Sequence, residues 1–397
     1  MIDTKIFNNT KRAFVLKSKK DLNRSIFIFR LMNIPFLVPI SIFFAKIALK
    51  LHLPVEWVIK KTIFDQFCGG ITQKDCLPLV KLMYSKHVYS VLDYSVEGKE
   101  EEEEFDKATD TKIDIIKFAS EQKEIPFAVA KPTGLGRFEI WEKVSQKKEL
   151  SDAEIEEWKR VKKRVKTLCQ AAVDYKTALL FDAEESWMQD AADDLLEEMM
   201  KIFNHENVYI FNTLQCYRWD RLKYVKEMHQ KAKKNGYKLG FKVVRGAYME
   251  KENARARRKS YPTPICEDKE ATDVNFNAVM CYCIDNVDEI SVFIGTHNEV
   301  SSYMALQLMD QKGLKLDDPR IWFGQLYGMS DHISYNLGKE CSNAIKLIPF
   351  GPIKDVVPYL FRRAQENSSV QGQSTRELSL LLEEKDRRDG QYVKRVK

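Results

Sequence analysis

Short apolar runs recur through the last three quarters of the chain, each rich in β-branched and aromatic residues, each followed by a polar residue and a helical pattern. Eight can be counted: Val88–Asp93, Pro126–Lys131, Ala178–Asp182, Val208–Asn212, Phe241–Arg245, Ser291–Thr296, Arg320–Gly324 and Ile345–Pro349. Between them, Ser151 with Glu154 forms a capping-box pattern, Asn235-Gly236 ends the helix that begins near Trp219, Asn298 suits an N-cap and Gly313 a stop. Strands alternating with helices predict an α/β chain folded as a (β/α)8 TIM-type barrel, since parallel neighbours need crossover connections. A doubly wound sheet is disfavoured because no G-x-G-x-x-G turn follows the first strand. The spacers 132–177 and 246–290 are longer than one crossover needs and are expected to hold extra helices.

Ahead of the barrel, residues 1–63 read as a basic and apolar helical extension. Its apolar stretch, Pro35 to Ala45, contains Pro39 and is followed by Lys46 and Lys50. It falls short of the roughly 18 uninterrupted apolar residues a spanning helix needs. It suits either a helix lying on a bilayer, anchored by the basic arm before it, or an accessory helix buried on the main domain. The barrel domain is expected over 64–370, and 371–397 reads as a charged helix or tail. The acidic run Glu100–Glu104 reads as solvated low-complexity sequence.

Charge sharpens the picture of the extension. Of the formal net charge of +6, residues 1–26 supply +5, seven Lys and Arg less Asp3 and Asp21. A folded nucleic-acid-binding face would spread its basic residues more widely, so no nucleic-acid partner is expected. The eight cysteines are scattered, and the close pair Cys281 and Cys283 lacks a metal-knuckle gap, which points to reduced, mostly buried thiols and no metal site. No secretory pattern is visible, and Arg12 and Arg24 are the only arginines in the first 24 residues, little support for a mitochondrial presequence. The expected location is the cytoplasm of a bacterium, peripheral on its inner membrane, or the mitochondrial inner membrane or matrix in a eukaryote.

Barrel chemistry collects at the carboxyl ends of the strands. Glu97, Lys131, Asp182, Gln215, Arg245, His297 and Gln325 lie at or just beyond seven such ends. Gly246-Ala247, Gly295 and Gly324 add small residues there, which let a flat cofactor approach the backbone. Near the C-terminus, Tyr359, Arg362, Arg363 and Glu366 share one helical face at i, i+3, i+4 and i+7. Two guanidiniums beside an aromatic ring form a receptor for a small planar anion, whereas an Arg362–Glu366 pair on a solvated helix is the plainer reading. Lys131 suits a third cation for an acid substrate or, alternatively, a Schiff-base lysine.

Six strings resemble the proline dehydrogenases, flavin-dependent barrel enzymes. They are Leu92–Glu97, Phe211–Tyr217, Val244–Tyr248, Thr296–Glu299, Phe323–Met329 and Tyr359–Asn367, spread over about residues 64 to 370. The resemblance implies a monofunctional enzyme that oxidises L-proline to Δ1-pyrroline-5-carboxylate using FAD and passes electrons to a membrane quinone. It assigns Lys131, Arg362 and Arg363 to the proline carboxylate and Tyr248, Tyr359 and Leu326 to the ring. Glu97 is matched to a gating partner of Arg362, and Asp182 and Lys242 to the catalytic acid and the basic residue near the flavin. Gln215, Val244, Arg245, Gly246, Ala247, Thr296, His297, Gln325, Glu366, Asn367, Ser368 and Ser369 are matched to FAD contacts.

Two positions depart from the family pattern: Pro132 after Lys131, and Leu347 where proline-specific members commonly carry tyrosine. The second leaves a 4-hydroxyproline dehydrogenase open as an alternative substrate class. A Schiff-base lyase and a catalytically silent barrel acting as a membrane-bound binding partner are the readings from other classes.

Overall fold

The computed structural model describes residues 5–34, 36–51, 56–94, 101–369 and 373–390. Eight strands close in chain order into a parallel barrel: β1 (Val88–Tyr94), β2 (Phe127–Ala130), β3 (Ala178–Phe181), β4 (Ile210–Gln215), β5 (Leu239–Val244), β6 (Ile290–Gly295), β7 (Ile321–Leu326) and β8 (Ala344–Phe350). All eight expected strands are present. Strands such as β2 and β8 are buried along their whole length, as parallel strands covered by helices should be. The long spacers hold two helices each, Phe138–Ser145 with Asp152–Asp174, and Met249–Lys259 with Lys269–Asp285.

Boundaries moved where side chains compete with the ladder. β4 starts two residues later than its apolar run because the Asn204 carboxamide takes the N–H groups of Tyr209 and Ile210, each at 3.0 Å. It then runs on through Asn212 and Thr213, whose polarity suggested an end. Asn212 donates to Asp193 at 2.9 Å and Thr213 to the Phe181 carbonyl at 2.6 Å, so both are satisfied inside. The predicted capping box is formed, with Ser151 accepting from the Glu154 N–H and Glu154 from the Ser151 N–H. Gly236, at φ 70°, ends helix Arg221–Asn235 in the left-handed conformation.

The chain divides into two compact units, Met1–Val96 with His297–Glu299 and Gly324–Lys397, and Glu97–Thr296 with Val300–Phe323. In the second unit, Phe127 of β2 meets Phe211 of β4, Phe293 of β6 and Trp322 of β7 edge-on, at 5.6, 5.4 and 5.0 Å between ring centres. The acidic run after β1 stays largely exposed, as its solvated reading had it, but it also opens a helix; Glu100 lies outside the described residues. Glu101 caps helix Glu102–Ser120, and the Glu102 carboxylate takes Arg160 at 2.9 Å while Arg164 binds Asp106 at 2.7 Å.

In the first unit, helices Lys19–Met32, Leu37–Lys50, Ile353–Ser369 and Gln373–Arg388 share one apolar cluster that includes Leu22, Phe29, Val38, Ile42, Leu360 and Leu380. The accessory-helix reading therefore holds for one face of Leu37–Lys50. Three cations of the basic arm are ion-paired. Arg12 pairs with Glu340 at 2.8 Å, Lys17 with Asp331 at 3.3 Å and Lys19 with Asp389 at 2.9 Å. Among the described residues no single helix is long and apolar enough to cross a membrane.

Candidate active site

The second unit builds a charged triplet from two strand ends and the interior of a third strand. Asp182, just after β3, accepts from Lys242 of β5 at 2.6 Å and from Lys131, just after β2, at 3.0 Å. Burial alone would raise the acidity constant of this carboxyl, but the two ammonium groups outweigh it and hold the group ionised well below the usual carboxylate range. Lys131 is thus an ion-paired cation. A Schiff-base lysine needs a neutral amine, and this partner opposes one.

At the end of β4, Gln215 is buried, with its amide donating to the Glu184 carbonyl at 3.0 Å. Its carbonyl oxygen Oε1 is also buried and has no hydrogen-bond partner. Such an orphaned acceptor calls for a donor from a ligand. Arg245, following β5, is locked by Asp273 at 2.5 Å, Thr296 Oγ1 at 2.7 Å and Ser301 at 3.0 Å, with its guanidinium 4.3 Å from the Phe276 ring centre. Gly246 has φ 125°, and a Cβ there would lie 2.5 Å from the Tyr217 ring. Only glycine fits on both counts. Val244 pairs with Gln215 across the β4–β5 ladder, Ala247 is exposed beside Gly246, and Tyr248 is half-buried at the start of helix Met249–Lys259.

An acceptor awaiting an N–H, a fixed cation and a side-chain-free stretch of backbone suit a flavin dinucleotide, which presents ring N–H groups, a diphosphate and a flat face. The sequence reading stopped at Asp182 and missed Glu184 two residues on. Its carboxylate binds the Thr133 N–H at 2.9 Å and hydroxyl at 2.7 Å, fixing the loop that carries Lys131. Burial raises it to about 7. A second carboxylate in Asp182-Ala183-Glu184 was the available signal.

In the first unit, His297 Nδ1 lies 2.9 Å from Ser330 Oγ, and the Leu326 N–H approaches Nε2 at 3.5 Å. Gln325 is buried and its Oε1 accepts from Ser334 at 2.7 Å, so that oxygen is already engaged. Helix Ile353–Ser369 carries three described members of the predicted face. Tyr359 is buried, Arg362 and Arg363 are half-buried, and the Arg363 guanidinium is 5.2 Å from the Tyr359 ring centre. Leu347 is buried in β8. Glu366, Asn367, Ser368 and Ser369 continue the helix, but their side chains, like Glu97 altogether, lie outside the described residues.

Behind His297 stands a layer invisible in sequence. Ser330 has φ 51°, a strained value for serine, and its N–H donates to Glu377 at 2.9 Å. His332 sits between Glu299, at 3.1 Å, and Glu377, at 3.6 Å, and Glu299 is also bound by Arg376 at 2.8 Å. Burial disfavours the charged imidazole, yet the two carboxylates outweigh it and raise its acidity constant from 6.5 to about 8. The sign follows from linkage: protons held more tightly in the folded state stabilise it fully below pH 6.5, and this is lost as pH rises through about 8. The protein should lose about 2 kcal/mol between pH 6.5 and 8.5, and His332→Gln should flatten that slope in urea melts. An unchanged slope in the variant would remove His332 as its source.

The profile of the family described as proline dehydrogenase matches residues 76–376. The carbapenem antibiotics biosynthesis protein CarD of Pectobacterium carotovorum subsp. carotovorum is 34% identical over 81% of this chain and 83% of its own length. Proline dehydrogenase 1, mitochondrial, of Drosophila melanogaster is 36% identical over 59% of this chain, which spans only 36% of that protein. Hydroxyproline dehydrogenase of Xenopus laevis is 28% identical over 95% of this chain and 89% of its own. Among solved structures, proline utilization A from Bdellovibrio bacteriovorus, inactivated by N-propargylglycine, superposes with a TM-score of 0.74 at 18% identity, covering 95% of this chain and 43% of that one. That likeness bears on the fold.

Proposed function

Because the chain belongs to the proline dehydrogenase family, oxidoreductases acting on proline, we propose that it oxidises L-proline to Δ1-pyrroline-5-carboxylate, with FAD as resident cofactor and a membrane quinone as final acceptor, the first step of proline catabolism. The observation that carries this reading is the Lys131–Asp182–Lys242 triplet drawn from β2, β3 and β5, together with the orphaned Gln215 oxygen at the end of β4.

A bound FAD would supply the two-electron acceptor for the hydride equivalent lost from C5 of proline as its ring nitrogen is deprotonated. Everything else falls to the chain. Lys131, Arg362 and Arg363 bind the carboxylate, and Tyr248, Tyr359 and Leu326 wall the ring, so that much of the rate comes from positioning. Glu97 gates the site through Arg362. Asp182 fixes both lysines, holding Lys131 to the substrate and Lys242 to the cofactor side. Gln215, Val244, Arg245, Gly246, Ala247, Thr296, His297, Gln325 and the Glu366–Ser369 run hold the dinucleotide. The catalytic unit is assigned to 64–370, and the enzyme to the inner face of a bacterial inner membrane or to mitochondria.

The test is the visible spectrum of the purified protein. A flavin band that bleaches anaerobically on adding L-proline is expected. A colourless protein trapped by borohydride at Lys131 would replace the oxidase with a lyase. Leu347, with the Xenopus laevis relative, favours a second reading in which 4-hydroxyproline is the better substrate. Steady-state turnover of both substrates with a soluble quinone separates the two.

A further inference from the structure

Helix Leu37–Lys50 turns one apolar face inward and another outward. Val38 and Ile42 are buried in the cluster shared with Leu360 and Val356. Phe36, Ile40, Phe43, Phe44, Ile47 and Leu51, at steps of one to four residues along the other side, are all exposed, Phe43 by 60% and Phe44 by 63%. Phe27 and Leu31 of helix Lys19–Met32 and Trp57 and Val58 of helix Glu56–Ile59 are exposed too. Ten of the twenty large hydrophobic side chains exposed among the described residues thus fall within residues 27–58. A folded chain rarely leaves so much bulky apolar surface in one place unless something covers it.

The charges around this face have one sign to offer. Its carboxylates are already matched: Glu56 binds Lys354 at 3.3 Å, and Arg24 lies 3.2 Å from Asp21 and 3.9 Å from Asp65. Arg30, Lys60 and Lys61 remain exposed, and the Lys61 ammonium sits 4.5 Å over the Trp57 ring. A stripe of phenylalanine, isoleucine and leucine, edged by cations and by a tryptophan, is the composition of a helix seated in a membrane interface. Among the described side chains, the stripe offers few of the polar groups that would form the rim of a protein interface.

We infer that this face docks on an anionic lipid bilayer, with helix Leu37–Lys50 lying along the surface, its phenylalanine stripe among the acyl chains and Arg30, Lys60 and Lys61 against the headgroups. No single described helix is long and apolar enough to cross, and helix Lys19–Met32 and the segment Leu37–Ala45 are bent by 103° from one another, which suits an orientation along the surface. Such docking differs from anchoring through the basic arm, whose Arg12, Lys17 and Lys19 are committed to internal ion pairs. The inference stands on the exposed face and does not depend on the reaction proposed above. Its consequence for that reaction is proximity. Helix Ile353–Ser369, which carries Tyr359, Arg362 and Arg363, packs on the inner side of the same cluster, one layer beneath the lipid.

The test is vesicle flotation of the full chain, using phosphatidylcholine vesicles with and without phosphatidylglycerol. The wild-type protein should float with the mixed vesicles, and F43S/F44S should lower its partitioning by about tenfold or more, since apolar area drives insertion. K60E/K61E should weaken floating on mixed vesicles, and added salt should weaken that of the wild type. All four positions are exposed, so melting temperatures should hold. I40N/I47N provides an independent pair on the stripe should the first pair misfold. Floating by both apolar pairs at the wild-type level overturns the inference. So does a wild-type protein that ignores lipid but self-associates until the stripe is mutated, which would make the face a contact between copies of this chain.

Discussion

Replacing Arg363 by alanine should lower kcat/KM for L-proline by roughly 30-fold to 10³-fold, the equivalent of about 2–4 kcal/mol for charge-assisted hydrogen bonds lost from a carboxylate. Most of the change should appear in KM. A carboxylate is present in substrate and transition state alike, so its receptor contributes nearly uniform binding. Arg363→Lys should recover only part, because an ammonium restores the charge without the planar fork or the stacking on Tyr359, whose ring centre is 5.2 Å from the guanidinium. The substitution should leave stability within about 0.5 kcal/mol, since the core contacts of this helix come from Val356, Val357 and Leu360 on other positions. A KM within threefold of wild type, measured on the alanine variant with its flavin bound, would take the arginine pair out of substrate binding.

Asp182→Asn is the second large effect, and it acts on stability as well as turnover. The carboxylate is the common partner of Lys131, at 3.0 Å, and Lys242, at 2.6 Å, and Lys242 is buried. Removing one partner of a buried ion pair leaves uncompensated charge and typically costs about 3–5 kcal/mol. A loss near the lower end is expected at pH 7, because Asp182 is not fully buried. Turnover should drop more than tenfold, as both lysines lose the group that aims them. The pH dependence has a definite sign. The folded acidity constant lies below the unfolded one, so the stabilisation is present above about pH 4 and fades as the carboxyl is protonated at lower pH. Urea melts of the two proteins should therefore differ most at pH 7, and the gap should begin to narrow below about pH 4. A constant gap across that range would mean that the ion pair is not its source.

The barrel was legible because eight apolar runs are each short, β-branched and followed by helix signals, an alternation that a doubly wound sheet shares but without the glycine-rich turn expected after its first strand. The first layer of the candidate site was legible for the same reason: Lys131, Asp182, Gln215 and Arg245 interrupt apolar runs where the strands finish. The second layer was not. Ser330 and Glu377 are 47 residues apart, and nothing local to either announces their hydrogen bond. Polarity also misled. Asn212 and Thr213 looked like a strand end because their internal partners, Asp193 and Phe181, are far away in sequence. In the stretch from Phe36 to Leu51 both sides of the helix are apolar, so periodicity alone gave no way to separate the buried Val38 and Ile42 from the exposed Phe43 and Phe44.

The family match stops at residue 376, and the next side chain, Glu377, belongs to the charge cluster behind His297. Arg376, the last matched residue, reaches Asn8 at 2.6 Å, and twelve residues on, Arg388 donates to the carbonyls of Phe14 and Lys17 at 2.9 and 2.7 Å. A boundary drawn at residue 376 therefore separates a histidine and a loop amide from the acid that partners them.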